Sequence, residues 1–142
     1  MVPVPEAAAH YDALVGVPAH VTILVPFLEL DALDEADVAD VLGPFEAFDF
    51  DLVAVEEFDD GTRWLRPEPL TPFAALTQAI WQRWPDHPPY EGLFEPLPHV
   101  TISIEAVALP ISCRATQVLL LEEQADLSWR TVRSFALVQG VA

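Results

Sequence analysis

The chain has 142 residues, the size of one domain, and 52% of them are hydrophobic, enough to bury a sizeable core. Twenty-three acidic residues face six basic ones, all arginine, for a net charge of −17. A field of that sign repels polyanions, so long RNA or DNA held along a groove is not expected.

No apolar run nears the roughly 18 residues of a membrane span, and no basic-then-apolar leader opens the sequence. A lone cysteine, Cys113, rules out an intrachain disulfide and reads as a buried thiol in a cytoplasmic protein. Val2-Pro3-Val4-Pro5 reads as a short edge strand, since two prolines forbid a full ladder. Glu6 to Leu14 is a short helix at best, with His10 on its surface. Val17-Pro18 leads into His20-Val21-Thr22-Ile23, and the β-branched run Val21 to Phe27 reads as a strand. Asp31 to Leu42 has a helical stripe of Leu30, Val38, Val41 and Leu42, with Asp31 or Asp34 as cap and Gly43-Pro44 as stop.

Phe48 to Phe58 alternates Phe48, Phe50 and Leu52 with Asp49 and Asp51, the pattern of a half-buried strand. Asp59-Asp60-Gly61 turns it into a second arm, Arg63 to Arg66, whose Trp64 faces a cleft or packs. Thr71 as cap and Pro72 at the first helical position open the clearest amphipathic helix, with Phe73, Leu76, Ile80, Trp81 and Trp84 at helical spacing and Pro85 at its end. A proline-rich loop, Asp86 to Pro98, then runs into His99-Val100-Thr101-Ile102 and a strand from Val100 to Ile104. Its Tyr90 and Phe94, with Trp64, are the candidates to stack on a base, and His87 reads as a loop residue. A closing hairpin follows: Ala115 to Glu122, a polar turn over Glu123 to Asp126, and Leu127 to Val138.

The tetrapeptide His-Val-Thr-Ile thus occurs twice, at His20 and at His99. In a strand, residues i and i+2 share a face, so each copy presents an imidazole and a hydroxyl together, with Val21 or Val100 on the opposite face. If the two strands are neighbours in one sheet, two imidazoles and two hydroxyls converge on one cleft. Cleaving a phosphate ester with water needs a base for the nucleophile and an acid for the leaving oxygen. Imidazole, with an unperturbed pKa of about 6.5, serves as either. Thr22 and Thr101 can donate hydrogen bonds to non-bridging phosphate oxygens without adding charge.

This pair of His-x-Thr-hydrophobic motifs resembles the signature of the two-histidine phosphoesterases, the superfamily of bacterial 2′-5′ RNA ligase-like proteins and cyclic nucleotide phosphodiesterases. Gly16-Val17-Pro18-Ala19, Pro26-Phe27, Pro88-Pro89-Tyr90 and Leu119-Leu120-Leu121-Glu122-Glu123 carry the same likeness, which covers most of the chain. The resemblance implies a single α+β domain over residues 1–142: two-lobed, pseudo-symmetric antiparallel sheets with a central cleft and few outer helices. It implies metal-independent hydrolysis of 2′,3′-cyclic or 1″,2″-cyclic phosphates, with His20 and His99 catalytic, Thr22 and Thr101 on the phosphate, and no cofactor or metal. A small phosphorylated nucleotide or an RNA end is the partner expected, and no membrane. Relatives carry a longer helix in place of Glu6 to Leu14 and another where Glu105 to Pro110 leaves little room. Such shortening would uncover apolar sheet surface for a second subunit, giving a homodimer.

Other functions compete. The same site could join RNA ends through a 2′-5′ linkage, against which the acidic surface argues. A nucleotide-binding module without turnover fits the shortened elements but not the intact motifs. A metal hydrolase with His20 and His99 as ligands lacks a carboxylate partner in either motif.

Overall fold

The computed structural model describes residues 1–11, 17–103 and 107–139. Six strands form one sheet in the order β1 (Val2–Pro3), β2 (His20–Val21), β5 (Val100–Thr101), β4 (Arg63–Glu68), β3 (Phe48–Glu57) and β6 (Ile111–Ala115), each pairing antiparallel. Strands β7 (Gln117–Glu123) and β8 (Trp129–Ala136) make a separate hairpin. Two α-helices, α1 (Glu35–Leu42) and α2 (Thr71–Arg83), and three short 3-10 turns complete the described elements. The architecture is the α+β, mostly antiparallel one expected, with two sheets and few helices.

Local chemistry accounts for the longer elements. In β3, Phe50 and Leu52 turn inward while Asp49 and Asp51 face water. The β3–β4 turn is closed by the Asp60 carboxylate, which accepts from the Thr62 N–H at 2.8 Å, with Gly61 at φ 87°, where a side chain would be strained. Helix α1 is capped by Asp34, whose Oδ1 accepts from the Ala36 N–H at 3.0 Å. Helix α2 buries Phe73, Leu76, Thr77 and Ile80, and the Phe73 ring meets Phe48 and Phe50 edge to face, each at 5.0 Å. Each fully buried apolar side chain of this size contributes roughly 1.5–3 kcal/mol.

The two motif strands are much shorter than their sequences suggest. Past Val21 the carbonyls leave the ladder: Ile23 O accepts from Thr77 Oγ1 at 2.7 Å and Val25 O from the Tyr90 N–H at 2.6 Å. Pro26 has no N–H to continue a ladder. The second strand closes at Thr101, and Ile102 N–H then donates to the Arg63 carbonyl at 3.0 Å.

Other boundaries also move. Helix α1 starts at Glu35, with a separate 3-10 turn over Leu30–Ala32. Thr71 is the first helical residue of α2, not its cap; the cap position is Leu70. Ile111–Ala115 is a strand of its own, paired with β3, where the sequence shows only the approach to a hairpin. The reading of a helix beyond Tyr11, and the readings over residues 104–106, lie outside the described residues.

The hairpin bridges distant parts of the sheet and curls it. Leu119 N–H donates to the Met1 carbonyl beside β1 at 2.7 Å, while Val138 exchanges hydrogen bonds with Phe45 and Ala47, just before β3. The large apolar side chains most exposed among the described residues, Leu93 and Phe94 at 75% and 69% and Leu127 at 67%, sit on loops rather than on a sheet face.

Candidate functional site

Strands β2 and β5 are neighbours, and Val21 is the partner of Val100. Both valines are wholly buried in the core. Directly opposed residues of an antiparallel pair share a face. His20 therefore stands across from Thr101, and Thr22 across from His99, all four on the face away from the core. Directly opposed Cβ atoms sit about 4.5–5.5 Å apart, so the register gathers the four groups into one patch. All four are half-buried and open to solvent.

The two imidazoles are held in the same way. His20 Nδ1 lies 2.7 Å from the Pro18 carbonyl, and His99 Nδ1 lies 2.7 Å from the Leu97 carbonyl. A carbonyl only accepts, so each Nδ1 carries a proton, and a ring in its neutral form keeps the lone pair on Nε2. Burial lowers the pKa of His20 below its ordinary value. The Pro18 carbonyl opposes that shift and the charge of His99 adds to it.

The surroundings of the two histidines differ. The Tyr11 ring meets His20 edge-on at 6.4 Å. His99 packs against Phe58 at 5.2 Å and Trp64 at 5.9 Å, and those two rings stack on each other at 5.0 Å. Trp64, partnered with Thr101 in the sheet, is 6% exposed, and its buried Nε1 has no hydrogen-bond partner among the described residues. Tyr90 and Thr22 line one recess, and burial raises the Tyr90 phenol pKa although the nearby Thr22 hydroxyl opposes the shift. Phe94 lies edge-on to Tyr90 at 6.1 Å. The loop thus comes to the first motif through Tyr90, at a backbone φ of 52° followed by Glu91 at 55° and Gly92 at 78°.

Of the residues singled out from sequence, His20, His99, Thr22, Thr101 and Tyr90 come together, Phe94 stands at the outer edge, and Trp64 is packed beneath Phe58. His87 lies against Phe27, and the His10 carbonyl accepts from the Ser103 N–H. Sequence reasoning misses Tyr11 and Phe58. Neither lies in a motif, and only the folded chain brings them to the histidines.

A cavity of about 680 Å³ opens beside His20 and Thr22 and runs between the first-motif segment and the hairpin; His99 and Thr101 are not in its wall. A recess of about 110 Å³ lies between Thr22, Tyr90, Leu97 and the Thr77 and Trp81 side of α2. All six arginines are ion-paired with carboxylates. Among the described residues, no group of three or more His, Cys, Asp or Glu side chains is placed to hold a metal ion. No described helix is long and apolar enough to cross a membrane.

The family model of the 2′-5′ RNA ligase superfamily matches residues 4–140. A crystal structure of E. coli LigT complexed with 3′-AMP is similar to this chain with a TM-score of 0.60 and 19% identity, over 95% of this chain and 84% of that one. The crystal structure of TT0787 of Thermus thermophilus is similar with a TM-score of 0.54 and 13% identity, over 85% and 80%. At such identities the two structures speak for the fold. No curated protein matches the chain.

Proposed function

The chain belongs to the 2′-5′ RNA ligase superfamily, and from that premise we propose that it is a phosphoesterase that hydrolyses a cyclic phosphate or small nucleotide phosphodiester by two-histidine acid/base catalysis, without a metal. The observation that carries this reading is the pairing of Val21 with Val100, which sets His20 opposite Thr101 and His99 opposite Thr22 on one solvent-facing patch.

On a 2′,3′-cyclic phosphate, Nε2 of one histidine takes a proton from water as its oxygen bonds to phosphorus. The bond from phosphorus to one ribose oxygen breaks, and the other histidine, which must enter the step as imidazolium with a proton on each nitrogen, gives that oxygen its Nε2 proton. The hydroxyls of Thr22 and Thr101 donate to the non-bridging oxygens, where negative charge grows. His20 suits the base: its lowered pKa keeps the ring neutral at pH 7. Phe58 and Trp64 fix the ring of His99, and Tyr90 and Phe94 offer aromatic surface above Thr22 for a base to stack on.

Two further observations favour hydrolysis of a small substrate over the joining of RNA ends. The net charge of −17 repels a polyanion, and each arginine is already matched by a carboxylate. The direct test is turnover of 2′,3′-cyclic nucleotides with and without a chelator. The expected result is equal turnover in both; loss of activity with the chelator would favour a metal hydrolase, and binding without turnover a binding module.

A further inference from the structure

The cavity beside His20 and Thr22 is larger than a phosphate needs. At about 680 Å³ it lies within the roughly 300–1,000 Å³ typical of small-molecule sites. Its depth is apolar: Ile23, Leu24, Phe27, Leu42, Leu120 and Phe135 form much of its wall. Among the described residues its lining contains no lysine or arginine, and the carboxylates in it are Glu29, Glu122 and Glu123. The Met1 amine in that wall donates to the Leu119 carbonyl, and burial pushes it down to about 5, so it is uncharged at pH 7. Elsewhere the chain has no lysine, and its six arginines all sit in ion pairs. Among the described residues no cationic side chain lines the cavity to receive a second phosphate, and the carboxylates would repel one.

We infer that this cavity is the specificity subsite, and that the substrate is a phosphodiester or cyclic phosphate with a single negative charge and one bulky, uncharged apolar group. The phosphate sits at the two motifs, and the apolar group extends past His20 towards Leu120 and Phe135. The inference rests on the phosphoesterase reading for the position of the phosphate. It goes further in favouring an alkyl or aryl group over a second nucleotide.

Binding tests it separately from catalysis. Dimethyl, methyl butyl and methyl octyl phosphate are monoanionic diesters differing only in chain length. Their affinities for the wild-type protein would be measured by calorimetry. Each methylene that enters the cavity should tighten binding roughly fourfold, the equivalent of about 0.8 kcal/mol. Leu120→Trp, with its fold checked by circular dichroism, should flatten the series by filling the cavity. Hydrolysis of 2′,3′-cyclic AMP would be followed in parallel. A flat wild-type series with cyclic AMP turned over overturns the subsite and leaves the phosphoesterase reading standing. A steep series with no turnover of any phosphate ester supports the subsite and overturns the phosphoesterase reading. A Leu120→Trp protein that folds and still gives a series as steep as the wild type's overturns the subsite.

Discussion

Replacing Thr77 with valine should both destabilise the protein and slow it. The Thr77 hydroxyl is buried on α2 and donates to the Ile23 carbonyl at 2.7 Å, tying the helix to the residue after Thr22. Valine keeps the shape and removes only the donor. Ile23 is 4% exposed, so water cannot readily replace the lost partner. Stranding a buried carbonyl costs about 1–3 kcal/mol. For a domain of this size each kcal/mol lowers Tm by roughly 3–5 °C, so Tm should fall by roughly 3–15 °C. The same bond fixes the segment that carries Thr22. Displacements of about 1 Å in a reacting group can cost 10²-fold, so kcat/KM should fall by at least about tenfold. Thermal unfolding by circular dichroism and steady-state kinetics read the two effects, with Thr77→Ser as a control that keeps the hydroxyl. A Thr77→Val protein whose Tm moves by less than about 1 °C and whose kcat/KM is unchanged would refute the reasoning.

The remaining expectations follow from the same geometry. The pH profile of kcat/KM should be bell-shaped. Activity should fall as pH drops through the pKa of His20, which burial sets below the ordinary 6.5, because the base must be neutral; an acidic limb centred well above that value would contradict the assignment. Thr22→Val or Thr101→Val deletes one donor to the phosphate and should weaken binding and slow turnover by up to roughly 10²–10³-fold, measured as Kd and kcat. Burial, with Glu6 and Asp51 nearby, pushes the Cys113 thiol up to about 12, so a thiol reagent at pH 8 should label it only on unfolding. Rapid labelling of the folded protein would contradict that burial.

The reach of the sequence differs from element to element. Strand β3, helix α2 and the Asp59-Asp60-Gly61 turn are legible because each is decided locally: by alternation, by helical spacing, or by a side chain and a glycine at a bend. The four motif residues stand out in the sequence because one tetrapeptide occurs twice. Their common face follows from the period of two, but the pairing of Val21 with Val100 is a long-range fact that no local pattern carries. Strand β6 escapes notice because its five residues, Ile111–Ala115, are defined by pairing with β3 and pass in sequence for the start of the next strand. The motif strands look too long in sequence because β-branched residues continue past Val21, while the Ile23 and Val25 carbonyls bond to α2 and to the loop instead. The apolar cavity is not legible, since its walls come from the first-motif segment, both helices and the hairpin together.

The central claim is that His20 and His99 are a proton-transfer pair, and the measurement that reaches it most directly is kcat and Kd for His20→Ala and His99→Ala on a 2′,3′-cyclic nucleotide. Removing either imidazole should lower kcat by about 10²–10⁴-fold while Kd stays within a few-fold, since each group moves a proton and neither is the main hold on the phosphate. A wild-type protein that binds the nucleotide without turning it over, and histidine variants that bind it equally well, would contradict the claim and leave a binding module in its place.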